Sequence, residues 1–465
     1  MSASGPPYSN FRSQIMSNCT SDSPAVVERC IRLMKLALPV LISQISFILV
    51  GFADNIMVGH YSTQALASAS FVVNVFNIVL LCAMGFSYGL TPIIGMLYAR
   101  SRRRRIGLVL RAGVYANLAV GVILTAIMGC AYFYLDRMGQ PDELLPLIRP
   151  FYLIILSSLI FVSVFNAFAQ WSFAIRNTQM PMWILLACNL LNIVGNYMLI
   201  YGCWGAPELG LTGAGISTFC VRVLSAIVIM AVFLFNPAYR EYKSGFRDPV
   251  LSVSRPMFGK VVATSWPVAL QMSCETSAFS FCAVMAGWLG TISLAAFQII
   301  VIIGSLGFCV YYSIGTAIAV SVSNVAGASG LPACRRVAFD GYLVMLVFAM
   351  ISTCIFIFFA RPLMGLFTTD AEVLSMATGL VVPLALYQLG DATQVTFANA
   401  LRGTSRVMPM LWIAVVSYVV VGLPTSWTLA FPLKLGTWGI VLSFSVSLFL
   451  AAALFFRSFM IATRR

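Results

Sequence analysis

Charge is scarce in this sequence. Only 9% of its 465 residues are Asp, Glu, Lys or Arg, against about 25% in a soluble domain. That excludes a water-facing surface over most of the chain. Histidine is nearly missing, since His60 is the only one. General acid–base chemistry therefore has few candidates, and His60, at the end of an apolar run, reads as an interface residue. No GxxxxGK[ST] string occurs, which excludes ATP hydrolysis by a P-loop. No HExxH occurs either. The twelve cysteines include no CxxC pair. Most of them, such as Cys82, Cys130, Cys309 and Cys354, lie inside apolar runs and read as small buried hydrophobes. Residues 1–28 are polar and lack an early apolar core, so no cleavable signal peptide is expected.

Apolar length is what the chain has in quantity. Hydrophobic residues make up 60%, and mean hydropathy is +0.94. A helical span needs roughly 20 apolar residues. Twelve runs qualify, near 35–59, 66–98, 107–134, 147–173, 181–203, 213–236, 259–288, 293–323, 337–360, 373–401, 409–430 and 438–460. They are too long and too uniform for barrel strands. The expected fold is an all-α integral membrane protein with twelve transmembrane helices.

Basic residues set the orientation. Of 28 Lys and Arg, 23 fall on the side that carries both termini, four on the other side, and Arg222 falls inside a span. By the positive-inside rule both termini are cytoplasmic, and the Asn18-Cys19-Thr20 sequon stays unglycosylated. SRRRRIG, at 101–107, reads as a topology and anionic-lipid anchor. No basic stripe is interleaved with aromatics, so nucleic acid is not an expected partner.

The chain repeats itself. WPVALQMSCETSAFSFCAVMAGWLGTISLAAF (266–297) aligns without gaps on LPVLISQISFILVGFADNIMVGHYSTQALASA (38–69). Pro39 meets Pro267, and Gly59 meets Gly287. Six spans per half is an even number, so the halves are parallel repeats about an axis along the membrane normal. The expected organisation is a cytoplasmic N-terminal segment (1–34), an amino lobe (35–237), a cytoplasmic linker (238–258), a carboxy lobe (259–460) and a short tail (461–465). Two six-helix lobes with pseudo-twofold symmetry, rocking about a cavity between them, describe a transporter acting by alternating access.

Three acids lie deep in spans: Asp54, Glu275 and Asp391. Each ionised side chain at mid-bilayer costs roughly 2.5–3.5 kcal/mol on insertion scales, so each needs a cation, a proton or a partner. Glu275 and Asp391 both fall near the middle of their spans, where one site is within reach of both. Tyr387, four residues before Asp391, stands on the same helix face. Oxygens of this kind suit Na⁺ or H⁺ better than a soft metal. The alternative is a structural pair bonded to Gln271, Thr393 or a backbone carbonyl. In the amino lobe, Asn189, Asn192 and Asn196 share a face of the fifth span and could meet Asp54. Amide packing between helices is the competing account. Arg222 has three readings: it neutralises Asp54, faces the cavity, or snorkels.

Four stretches resemble one known family: LALPVLISQISFILVGFADNIMVGH, GNYMLIYGCWGAPELGLTGAGIST, WPVALQMSCETSAF and LYQLGDATQVTFANALRG. Together they are similar to the multidrug and toxic compound extrusion (MATE) transporters, in their NorM-like branch. The resemblance implies a secondary transporter in the plasma membrane, working as a monomer. It would export amphipathic, mostly cationic organic compounds in exchange for Na⁺ or H⁺. It implies no further cofactor and no enzymatic activity. It implies a carboxy-lobe cation site at Tyr387, Glu275 and Asp391. In the amino lobe it implies a cation, proton or substrate site at Asp54, Asn192 and Asn196, with Thr218 as a further match. Arg222 departs from the pattern. So does Phe297-Gln298, where the family often has a histidine before the glutamine. A lipid-linked oligosaccharide flippase of related architecture is the competing function. It predicts a strongly cationic cavity, which the three acids oppose and Arg222 supports.

Overall fold

The computed structural model describes residues 26–137, 141–248 and 251–464, the side chains of 251–255 excepted. The Asn18 sequon lies outside the described residues. Eleven helices are long and apolar enough to span a membrane, and a bent pair makes the twelfth. In order they are Val26–Tyr61, Thr63–Ala99, Arg103–Tyr132, Asp142–Ala174, Gln179–Tyr201 and Gly210–Phe235 in the amino lobe. The carboxy lobe has Pro256–Trp288, Thr291–Ser329, Cys334–Phe358, the pair Ala371–Gly379 and Val381–Gly403, then Met408–Ala430 and Gly436–Ala462. Among the described residues there is no strand.

The first helix begins at Val26, well before residue 35. The charges at Glu28, Arg29, Arg32 and Lys35 mark where the apolar run begins, not where the helix does. Several prolines bend their spans as their chemistry requires, because proline lacks the N–H that the ladder needs. The tenth span bends by 48° just before Pro383. The second breaks at Gly89, just before Pro92. In the eleventh, a π-helical stretch over Val415–Gly422 runs up to Pro424. Pro39 and Pro267, by contrast, sit inside unbroken helices.

The two lobes share apolar cores at the end of the bundle that carries the termini. One such core joins Leu33, Ala37 and Tyr88 to Tyr311, Ile318 and Phe397. Another joins Phe86 and Ile94 to Val261 and Ala269. At the far end each lobe has a core of its own, around Phe76, Phe151 and Tyr152 in one and Phe297, Ile300 and Phe444 in the other. Polar contacts between the lobes follow the same division. Arg29 meets Asp340, Arg100 meets the Gly327 carbonyl, Asn324 meets the Ala174 carbonyl, and Tyr312 meets Tyr88. Among the described residues, no hydrogen bond or ion pair joins the lobes at the far end. Among the described residues the lobes are therefore joined by shared cores and polar contacts at the terminal end and by neither at the other.

Glycine permits that closure. A Cβ on Gly89 would stand 2.5 Å from the Ser265 Cα, and one on Gly327 would stand 2.5 Å from the Met96 carbonyl oxygen. Here backbone packs on backbone, with no room for a side chain.

The linker between the lobes is ordered over its described part. Arg240–Phe246 is a short helix. Tyr239 and Tyr242 pack edge-on against Trp171, with ring centroids 4.9 and 5.8 Å away. Arg103 pairs with Glu241 at 3.1 Å and Arg104 with Asp248 at 2.8 Å. Part of the basic cluster thus holds the linker against the third span.

Candidate cation site in the carboxy lobe

Glu275 projects from the seventh span, Tyr387 and Asp391 from the tenth, and Tyr418 from the π stretch of the eleventh. The charges of Glu275 and Asp391 act on one another and on both tyrosines. Glu275, Tyr387 and Asp391 thus lie within electrostatic reach of one another. Gln271 Nε2 donates to Glu275 Oε2 at 3.1 Å, one turn back on the same helix. Thr393 does not serve Asp391; its hydroxyl donates to the Leu389 carbonyl at 2.9 Å. Asp391 is 2% exposed, and its Oδ2 has no hydrogen-bond partner among the described residues. Both polar atoms of the Gln388 amide, in the adjoining turn, are likewise buried and unpartnered. Buried polar atoms are normally satisfied, so an orphan carboxylate oxygen within reach of a second carboxylate has the chemistry of a cation cradle. Among the described residues no three His, Cys, Asp or Glu come together. The donor set is carboxylate, phenol and amide oxygen, which is hard and unsuited to a soft metal.

Tyr418 joins this group from the eleventh span. Its hydroxyl approaches the Glu275 carboxylate, though without a well-formed hydrogen bond. The signal for it was Pro424, which disturbs the helix one to two turns before it. A π stretch adds a residue per turn and rotates the side chains that follow.

In the amino lobe the asparagines divide their tasks. Asn196 Nδ2 donates to Asp54 Oδ1 at 2.5 Å. Asn192 lies 3.4 Å from both the Ser217 and Thr218 hydroxyls, and Asn189 donates to Ser46 at 2.7 Å. Only Asn196 of the three therefore meets Asp54. Asn192 Oδ1 and Asn196 Oδ1 are buried without partners. Arg222 points into the lobe. Its Nη1 donates to Ser158 Oγ at 2.7 Å, and its Cζ stands 4.9 Å from the Phe76 ring centroid. Its charge and that of Asp54 act on each other without ion-pair contact. This fits the first two readings of Arg222 and not the snorkelling one.

One string looks like a hydrolase signature. Gly85-Phe86-Ser87-Tyr88-Gly89 has GxSxG spacing, which in hydrolases sits on a strand-to-helix turn beside a histidine. Here Ser87 is fully buried inside a helix, and its Oγ lies 2.6 Å from Asn117 Oδ1 and 3.1 Å from the Ala83 carbonyl. His60 is at the far end of the first span. The string is packing, not a nucleophile.

The MatE family model matches residues 39–198 and again 267–428. The chain belongs to the MATE family. Its two matched stretches are the two halves of the internal repeat, with Pro39 and Pro267 opening each. Among MATE relatives, a probable multidrug resistance protein NorM of Oceanobacillus iheyensis is 28% identical over 395 residues, 84% of this chain and 88% of that protein. A multidrug resistance protein MdtK of Photorhabdus laumondii is 28% identical over 409 residues, 85% of this chain and 87% of that one. The chain is thus a NorM-like MATE transporter and not an enzyme. Its fold is that of solved MATE structures. The eukaryotic MATE transporter AtDTX14 superposes with a TM-score of 0.84 at 18% identity, over 95% of this chain and all of that one. The Vibrio cholerae MATE transporter VcmN gives 0.83 at 17% identity, over 94% of this chain and 98% of that one.

Proposed function

We propose that this MATE transporter is a multidrug efflux antiporter. It exports amphipathic, mostly cationic organic compounds in exchange for Na⁺, with H⁺ as the alternative coupling ion. It acts as a monomer in the plasma membrane with both termini in the cytoplasm. The NorM and MdtK names of its relatives support multidrug export. The 23-to-4 division of basic residues supports the orientation.

The observation that carries the reading is the unpartnered Asp391 Oδ2 beside Glu275. Two buried carboxylates in one site either share a proton or hold a cation between them. With Tyr387 they supply oxygens for a dehydrated Na⁺. Asp54, Asn192, Asn196 and Thr218 then form the polar part of the amino lobe's share of the cavity. A cationic drug and the coupling ion compete for the same negative charge, so each weakens the other's binding equally. Ion entry from outside thereby releases drug, which is antiport.

Efflux of a fluorescent organic cation from reconstituted vesicles tests this, with Na⁺ and pH gradients imposed separately. An inward Na⁺ gradient should drive efflux, and Asp391→Asn should abolish the Na⁺ dependence. Undiminished Na⁺-driven efflux in that variant would overturn the assignment.

A further inference from the structure

Arg222 is a cation sunk in the amino lobe, and its immediate partners are neutral. They are the Ser158 hydroxyl at 2.7 Å and the face of Phe76 at 4.9 Å. Asp54 belongs to the same polar group without an ion pair to Arg222: it accepts from Asn196 at 2.5 Å, and Asn192, one turn from Asn196 on the fifth span, meets Thr218, one turn before Arg222 on the sixth. A charge held in a low-dielectric interior must be compensated by another. In the amino lobe both charges belong to the protein. In the carboxy lobe, the charge of Glu275 acts on Asp391, and among the described residues no Lys or Arg bonds to either. The amino-lobe acid thus has a protein cation in its own polar group, whereas the carboxy-lobe pair has none bonded to it.

Resting on the antiport reading, we propose that Arg222 is a resident cation occupying the electrostatic role of a coupling ion at Asp54. Coupling-ion exchange is thereby confined to the carboxy lobe. Asp54 does not release and rebind a cation during the cycle; it shapes the field that a passing organic cation meets. The internal repeat has thus been put to two uses, with a mobile cation on one side and a tethered one on the other. Separating Arg222 from contact with Asp54 leaves both groups able to polarise substrate between them.

The ion-to-substrate ratio tests this in vesicles holding the full chain. It is read from the imposed Na⁺ or H⁺ gradient at which net flux of a fluorescent organic cation stops. Asp54→Asn should leave the ratio at the wild-type value and raise the KM for the organic cation. Arg222→Gln should add a further coupling cation per substrate, because Asp54 then needs one. Combining the two substitutions should restore the wild-type ratio. A ratio that falls in Asp54→Asn, or stays unchanged in Arg222→Gln, overturns the proposal. If Arg222→Gln does not insert, Arg222→Lys keeps the charge and should keep the ratio. A changed ratio in that variant overturns the proposal equally. Wild-type protein without any cation-driven flux would sink the antiport reading, and this one with it. That result is separate from a wild type that couples normally while the variants fail to diverge.

Discussion

Arg29 and Asp340 clasp the two lobes together through two hydrogen bonds, from Nε at 2.7 Å and Nη2 at 3.1 Å. One residue opens the first span of the amino lobe; the other stands near the start of the ninth, in the carboxy lobe. Both side chains are mostly covered, at 17% and 12% exposure. A forked arginine–carboxylate pair is stronger than a single-contact one. Exposed ion pairs contribute at most about 1 kcal/mol, and this covered pair should reach that value. Asp340→Asn should therefore shift the balance of lobe arrangements roughly fivefold away from the state closed at the terminal end. Spin-label distances across the far end would report this as a growing short-distance population. An unaltered distribution would show that the clasp bears no part of the closure.

Gly89→Ala should disturb the same closure by steric means. The new Cβ would meet the Ser265 backbone at 2.5 Å, and backbone cannot rotate away. Overpacking of this kind costs roughly 1–3 kcal/mol. That cost falls on the closed terminal end alone, so efflux should drop while expression and membrane insertion stay normal. Gly51→Ala is the control, since nothing lies within 4 Å of its Cβ position. Equal effects of the two substitutions on efflux would refute the seam explanation.

Tyr418→Phe removes one hydroxyl beside Glu275 and leaves the ring in place. The hydroxyl has no hydrogen-bond partner among the described residues, so its loss should be felt when the coupling ion is bound and not in the fold. The Na⁺ concentration for half-maximal efflux should accordingly rise several-fold, with little change in thermal stability. If that concentration does not move, Tyr418 is not part of the cradle.

The twelve spans and the repeat were plain in the sequence because each depends on local composition and on alignment of the chain with itself. Tyr387 and Asp391 could be assigned to one face because four residues of helix fix their relation. Glu275 could join them because depth in a membrane can be counted along a helix. Tyr418 could not be added, because its direction depends on the π stretch before Pro424. Arg222 had three readings, and only the neighbours supplied by the second and fourth spans, Phe76 and Ser158, separate them. The asparagines show the same limit. Their common face was readable, but helix–helix register decides that Asn196 reaches Asp54 while Asn192 turns to Thr218. The early start of the first helix is not legible in the sequence, because charge marks the edge of the lipid, not the end of the hydrogen-bond ladder.

Each lobe keeps a complete greasy interior at the far end, around Phe76 and Tyr152 in one and Phe297 and Phe444 in the other. Opening there strips no core residue of its neighbours, so a mouth wide enough for a bulky passenger carries little thermodynamic penalty. Closing the opposite way is different, because the shared packing around Leu33, Tyr88 and Phe397 must come apart. The energetic burden of each turnover therefore lies on the seam at the terminal end, and anything that loosens it changes how often the transporter resets.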